Sequence, residues 1–328
     1  MYSFCTYFDQ RYLPQGLALY QSLQQHCPTF QLWILCLDHQ THTALTQRAL
    51  PNTHLIRLEE LEQSDPALLQ AKANRTLVEY YFTCTPVLPL FILTRYPAVE
   101  MITYLDADLF FFADPEPLYA EIADHSIAIS AHRFPPRLRH LEKTGVYNVA
   151  WLSFRQDQTA LACLRRWRAQ CLEWCYDRIE PGRYADQKYL DAWPASFAKV
   201  RVLRHKGANV APWNLDNYHI RAGDNRVWIG EQPLMFFHFQ GLERVTDWWY
   251  NSNSAHYGTR LSSVVRREIY GPYLRALAES TPQIIQAGEL RDDLLQMPES
   301  TRALERYVRL FRGLFSRKYI FVVKNRVI

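Results

Sequence analysis

Between residues 3 and 105 the chain alternates apolar runs of strand length with amphipathic stretches of helical spacing. Ser3–Tyr7, Gln31–Leu37, His54–Leu58 and Glu100–Leu105 read as strands. Leu13–Gln25 and Thr41–Leu50 read as helices, with Leu17, Tyr20 and Leu23 on one face of the first. Ala67–Leu93 is mostly helical in pattern, with breaks expected near Pro86 and Pro89. This alternation predicts an α/β fold with a mainly parallel sheet, because parallel strands need crossovers and helices make them. Ligands of such sheets sit beyond the carboxyl ends of the strands. Asp9, Asp106 and Asp108, each placed where an apolar run ends, are therefore candidate site residues on topology alone.

The second half is less regular. Ser126–Ala131, Tyr147–Phe154, Lys199–Leu203 and Pro233–Phe239 read as strands, Gln158–Tyr176 as a long amphipathic helix and Asp186–Trp193 as a short one. Leu261–Glu279 and Glu299–Leu314 follow as helical stretches. No repeat, low-complexity linker or boundary divides the chain. One continuous domain over 1–255 is expected, with a helical C-terminal extension over 256–328.

Composition narrows the functional classes. The 328 residues are 48% apolar and 14% aromatic, which excludes a disordered chain, and a net charge of +4 is too small for a dedicated nucleic-acid binder. The seven cysteines are scattered. Cys171 and Cys175 lie one helical turn apart with no second Cys/His pair, so buried thiols in a reducing compartment are expected rather than zinc. Met1 leads directly into an apolar strand-like run without the basic and hydrophobic regions of a signal peptide, and Arg95 and Glu100 interrupt the most apolar stretch, Val87–Leu105. A cytoplasmic location is the expectation.

Glycine placement removes two nucleotide-binding solutions. Gly16 is the only glycine before Gly145, so the first half carries neither a G-x-G-x-x-G turn nor a P-loop. A diphosphate bound here would need a metal held by carboxylates. Asp106-Ala107-Asp108 supplies the pair: in an extended segment residues i and i+2 point the same way, so both carboxylates can face one ion. Two such acids at the mouth of a buried strand repel each other unless a cation compensates. Hard oxygen ligands suit Mn²⁺ or Mg²⁺. The competing reading is a solvated turn with a capping aspartate.

Around this pair the sequence resembles the GT-A glycosyltransferases, specifically glycosyltransferase family 8. Tyr104-Leu105-Asp106-Ala107-Asp108-Leu109 is similar to the family's D-x-D strand. Asp9-Gln10-Arg11-Tyr12-Leu13-Pro14, with Ser22-Leu23, resembles its N-terminal segment. Tyr147–Phe154 resembles the strand with a central Asn, Ala185–Leu190 the D-Q motif, and Phe237–Arg244 the closing His-Phe-x-Gly segment. The motifs occur in the family's order over about residues 2–249.

The resemblance implies retaining transfer of a hexose from a nucleotide sugar, usually a UDP-sugar, with Mn²⁺. It divides the domain into a nucleotide-sugar half, about 1–110, and an acceptor and catalytic half, about 111–255. Thr6, Tyr7, Asp9 and Tyr12 would line the nucleotide, Asp9 and Tyr12 at its base. Asp106, Ala107 and Asp108 would hold metal and diphosphate, with Gly241 and Arg244 near the phosphates. Asn148 and Asp186 would contact the donor sugar, and Gln187 would lie near its anomeric carbon. A competing role for Asp186 is N-cap of the helix that follows.

His238 would complete the metal shell. It has glycine at +3 and a basic residue at +6 but lacks the family's Pro-Trp; His205 has Pro212-Trp213 at +7 and +8, but its glycine falls at +2. Chain order favours His238. The family's arginine shortly before the D-x-D strand is missing from Thr83-Cys84-Thr85-Pro86, and Arg75 is the candidate substitute.

Ala131–Gly145, basic and irregular, is a candidate acceptor lid, and Trp213, Trp248, Trp249 and Tyr250 either stack on sugars or pack in the core. The tail from Arg302 to Arg326 carries eight basic residues against Glu305, interleaved with apolar ones. Such a tail either lies on an anionic bilayer at the inner face of the cell membrane or packs back on the domain. The implied partners are a nucleotide-sugar donor and a glycan or lipid-linked acceptor of bacterial surface polysaccharide synthesis. Two alternatives are a sugar-nucleotide nucleotidyltransferase, which would want a glycine-rich N-terminal loop, and a non-catalytic carbohydrate-binding protein on the same scaffold.

Overall fold

The computed structural model describes residues 1–246, 249–286, 319–323 and 326–327. Strand β1 (Tyr2–Phe8) leads through α1 (Leu13–His26) to β2 (Phe30–Cys36), and α2 (His39–Arg48) carries the chain to β3 (Thr53–Arg57). Asp38 caps α2 by accepting from the Thr41 amide at 2.7 Å. Four short helices follow: α3 (Leu58–Ser64), α4 (Pro66–Lys72), α5 (Leu77–Cys84) and α6 (Val87–Arg95). The expected helical stretch over 67–93 is thus interrupted twice. Thr76 and Glu79 form a capping box that starts α5 afresh, and Pro86 starts α6, whose first turn accommodates Pro89 because amides there need no intrahelical acceptor.

Strands β4 (Met101–Leu105) and β5 (Leu109–Phe111) flank the D-x-D segment, and α7 (Glu116–Ile122), β6 (Ile127–Ala131), β7 (Tyr147–Arg155) and α8 (Gln158–Glu173) follow. A 3-10 segment (Lys188–Ala192) and α9 (Trp193–Ser196) lead to β8 (Val200–Val202). The central sheet has seven strands in the order β3-β2-β1-β4-β7-β6-β8. Every neighbouring pair is parallel except those made by β7, which runs antiparallel to both β4 and β6. Apolar clusters on its two faces pack it against α3–α6 and α8 on one side and α1, α2 and α7 on the other.

Beyond this sheet, β9 (Ile220–Gly223), β10 (Arg226–Ile229) and β11 (Gln232–Pro233) form a small meander. The single strand expected over 233–239 is divided: β11 ends at Pro233, and β12 (Phe236–His238) pairs antiparallel with β5. β13 (Glu243–Thr246) and β14 (Trp249–Asn251) follow. A π-helical segment (Val265–Tyr270) runs into α10 (Gly271–Gln286). These C-terminal helices share one apolar cluster with Phe110, Phe237, Phe239 and Tyr250, and Tyr273 stacks on Phe239 at 3.8 Å. All seven cysteines are buried and none forms a disulfide.

The extension is not helical throughout. β15 (Tyr319–Val323) pairs antiparallel with β14 and is followed by β16 (Arg326–Val327), so these strands extend the β13–β14 sheet. The expected helix over 299–314, and with it most of the basic tail, lies outside the described residues, as does Trp248. Ile320 is fully buried in the cluster containing Phe239 and Tyr250. Ile320→Ala should therefore cost about 2–5 kcal/mol in a denaturant titration, because it removes buried methylenes and leaves a void; a loss under about 0.5 kcal/mol would mean that the strand is not docked.

Leu77–Arg95, spanning α5 and α6, is long and apolar enough by composition to cross a membrane, but more than half of it is packed inside the fold.

Candidate active site

The carboxyl ends of β1 and β4 open into a cleft of about 620 Å³. Tyr7, Asp9, Tyr12, Asp106, Ala107, Asp108, Asn148, Asp186, Gln187 and His238 all line it. At the β1 end, Asp9 Oδ1 accepts from the amides of Arg11 (3.0 Å) and Tyr12 (3.3 Å), folding the chain into α1. Leu77 and Val78, each about half exposed, form an apolar lip.

The D-x-D acids and His238 meet through the β5–β12 ladder. His238 is the register partner of Leu109, and the Phe239 amide donates to the Asp108 carbonyl at 3.0 Å, so the imidazole stands beside both carboxylates. Its Nε2 lies 3.1 Å from Asp108 Oδ1 and 3.7 Å from Asp106 Oδ2. One ligand atom from each of the three lies within 4.8 Å of the others. Neighbouring ligands of one octahedral ion at about 2.1 Å need separations of this order. The set of two carboxylate oxygens and one imidazole nitrogen fits Mn²⁺ and admits Mg²⁺.

The charges around these groups are costly without a cation. Burial pushes Asp106 up to about 6, helped by the like charge of Asp108 and opposed by His238 and by a 2.9 Å bond from the Tyr104 hydroxyl. Burial would depress His238, but Asp108 and Asp106 outweigh it and raise the imidazole above its ordinary value.

β7, the neighbour of β4, and the turn before the 3-10 segment also line the cleft. Asn148 Nδ2 donates to Gln187 Oε1 at 3.2 Å, and Gln187 Nε2 donates to the Thr144 carbonyl at 3.1 Å. Asp186 is buried and pushed up to about 7 by burial and by the charge of Asp106, against a hydrogen bond from Thr85. It makes no helix-capping bond, since the cap position of the 3-10 segment is Gln187, without a side-chain cap.

Several expectations are corrected. Arg75 lies outside the cleft lining: its guanidinium donates to Asn74 Oδ1 and to the Cys171 and Leu172 carbonyls and lies 4.0 Å from the centre of the Tyr176 ring. Thr6 is buried on the face of β1 opposite Tyr7 and does not reach the cleft. Gly241 and Arg244 follow Gln240, the last residue of that segment to line it. Gly241 has φ +71°, and a Cβ there would strike the Asn253 side chain at 2.3 Å, so its glycine serves the turn. His205 is no ligand: its Nδ1 accepts from the Gly207 amide, outside the cleft. Trp249 and Tyr250 are core residues, whereas Trp213, also buried, lines the cleft with its edge on His238.

Three further residues support the site. Tyr104, two before Asp106 and hence on the same side of its strand, holds that carboxylate. Thr85 links Asp186 to the Tyr7 hydroxyl. His132, directly after β6, is buried beside Asn148; the strand-end rule that picks out Asp106 would also find it.

The mostly parallel sheet, the D-x-D loop after β4 and the antiparallel β7 define the GT-A glycosyltransferase fold, similar to glycosyltransferase family 8. Among solved structures, the galactosyltransferase LgtC in complex with donor and acceptor sugar analogs is 15% identical, with a TM-score of 0.56 over 88% of this chain and 100% of that one. The bifunctional glycosyltransferase WbbM aligns at 15% identity and a TM-score of 0.50, over 90% of this chain and 52% of its own. The chain belongs to the family of the Bacillus subtilis (strain 168) proteins YfnD and YfnF, both of them uncharacterized. It is 32% identical to YfnD over 289 residues (87% of this chain, 92% of YfnD) and 30% identical to YfnF over 292 residues (87% and 93%). No family model matches the sequence.

Proposed function

We propose that this protein is a retaining, metal-dependent hexosyltransferase that takes its sugar from a nucleoside diphosphate donor, a UDP-sugar, and passes it to a glycan or lipid-linked acceptor. The observation that carries the reading is that one cleft is lined by both groups, the Asp106, Asp108 and His238 cluster and Asn148, Asp186 and Gln187. LgtC, a galactosyltransferase solved with donor and acceptor sugar analogs, supports the same reaction class on this fold.

Asp106, Asp108 and His238 would hold Mn²⁺ or Mg²⁺, which when bound neutralises charge developing on a departing diphosphate. The chain's own residues supply the rest. Asp9 and Tyr12 bound the nucleoside end, and Asp186 and the second lone pair of the Asn148 carbonyl accept hydrogen bonds from sugar hydroxyls. Gln187, a carboxamide and a poor covalent nucleophile, can orient its carbonyl dipole toward positive charge developing at the anomeric carbon. The apolar lip of Leu77 and Val78 shields the donor from water. This chemistry suits a cytoplasmic enzyme of bacterial surface polysaccharide synthesis, working at the inner face of the membrane. The nucleotidyltransferase reading is the weaker one, since the β1–α1 turn, Asp9 to Tyr12, contains no glycine to cradle a triphosphate.

Calorimetry with UDP tests the scheme. Binding in Mn²⁺ should weaken at least tenfold when the metal is replaced by EDTA; equal affinity in both would remove the metal from the mechanism. A hydrolysis screen over UDP-, GDP- and dTDP-sugars then identifies the donor.

A further inference from the structure

We propose that His132 is a positioning residue that, through Asn148, fixes which end of the Gln187 carboxamide faces the donor sugar. The inference rests on the transferase reading above and adds to it a residue that touches no reacting atom.

His132 is buried, with its ring stacked on Phe134 at 4.7 Å and edge-on to Trp213 at 5.3 Å. Its Nδ1 faces the Val146 carbonyl at 3.4 Å, which can only accept, so Nδ1 carries the proton. Nε2 is then a lone pair, and Asn148 Nδ2 lies 3.2 Å from it. The Asn148 carbonyl is also committed, accepting from the Ala150 amide at 3.2 Å. Turned over, Asn148 would set its oxygen against the Nε2 lone pair and the Gln187 oxygen, and its NH₂ against the Ala150 N–H. Each of those contacts is repulsive.

With Asn148 fixed, its remaining N–H goes to Gln187 Oε1, and Gln187 Nε2 goes to the Thr144 carbonyl. The series therefore diverges from the Asn148 NH₂, one arm running through His132 to the Val146 carbonyl and the other through Gln187 to the Thr144 carbonyl, and the Gln187 oxygen keeps one lone pair for the cleft. Burial pushes His132 down to about 3, so the ring stays neutral over the whole working range. A protonated His132 would set an N–H at Nε2 against the Asn148 NH₂ and break the His132 arm.

Two variants and one spectrum test this. His132→Phe keeps the ring on Phe134 and removes the acceptor; His132→Gln restores an acceptor oxygen. His132→Phe should lower kcat for UDP-sugar hydrolysis roughly 10- to 100-fold, the scale of a misplaced catalytic group. Its UDP affinity in Mn²⁺ should stay within twofold of wild type, and His132→Gln should recover part of kcat. Unchanged kcat in His132→Phe, or UDP affinity falling in step with kcat, overturns the proposal. Nitrogen-15 imidazole shifts of the wild-type protein give a readout independent of turnover and of how the variants fold. Protonated Nδ1 with bare Nε2 between pH 5 and 8 is expected; the opposite tautomer or an imidazolium overturns it. A wild type that binds UDP neither with nor without Mn²⁺ would instead refute the transferase reading, whatever the tautomer proves to be.

Discussion

Asp108→Asn should abolish measurable UDP-sugar hydrolysis and weaken Mn²⁺-dependent UDP binding by at least ~100-fold. Loss of a group that merely orients a metal ligand already costs 10- to 100-fold, and this substitution removes a ligand itself. Asp108 is also the carboxylate nearest His238, at 3.1 Å, so its amide leaves the imidazole without its main counter-charge. The fold should survive, because Asp108 holds the β5–β12 junction by its backbone carbonyl rather than its side chain. Calorimetry with UDP and Mn²⁺, alongside a circular dichroism melt, separates the two effects. An Asp108→Asn protein that binds UDP and Mn²⁺ like wild type would reduce the D-x-D pair to an ordinary turn.

The parts of this site legible in the sequence are those fixed by local rules. Strand runs ending in acids place Asp9, Asp106 and Asp108 at one rim, because chain direction in a parallel sheet sends every carboxyl end the same way. The seat of His238 follows from pairing between β5 and β12, segments far apart in the chain, and periodicity carries no information about such partners. His205 therefore stays a rival until the ladder decides between them. Arg75 shows the opposite failure: a cation at a plausible distance in sequence is committed to two backbone carbonyls and an aromatic ring. Near the end of the chain, β15 is placed by pairing with β14, a segment distant in sequence, and local pattern does not announce such a partner. His132 is readable as a strand-end residue but not as a site residue, because its role depends on partners at 146 and 148 rather than on its own charge.

Asp186→Asn should make the metal-free protein more stable at pH 8 while lowering its activity. The carboxyl is pushed up to about 7, first by burial and then by the charge of Asp106. An unfolded aspartate ionises near 3.9. Below pH 4 both states hold the proton and the site costs nothing. As pH rises from about 4 to 7 the unfolded chain releases its proton while the folded one retains it, so stability falls across that window and levels off above it. At about 1.4 kcal/mol per pH unit, the penalty at pH 8 is on the order of 2–4 kcal/mol. Asparagine keeps the shape without the charge, so Asp186→Asn should raise Tm at pH 8 by roughly 3–6 °C and leave it unchanged at pH 4. Hydrolysis should nonetheless fall about 10- to 100-fold, the worth of a charge-assisted hydrogen bond to a sugar hydroxyl. Paired melts at the two pH values and a steady-state assay check both halves. Equal Tm shifts at pH 4 and 8 would mean that Asp186 carries no buried charge, and undiminished hydrolysis would place it outside the donor site. Stabilisation with loss of turnover is the signature of a residue kept for chemistry at the expense of the fold.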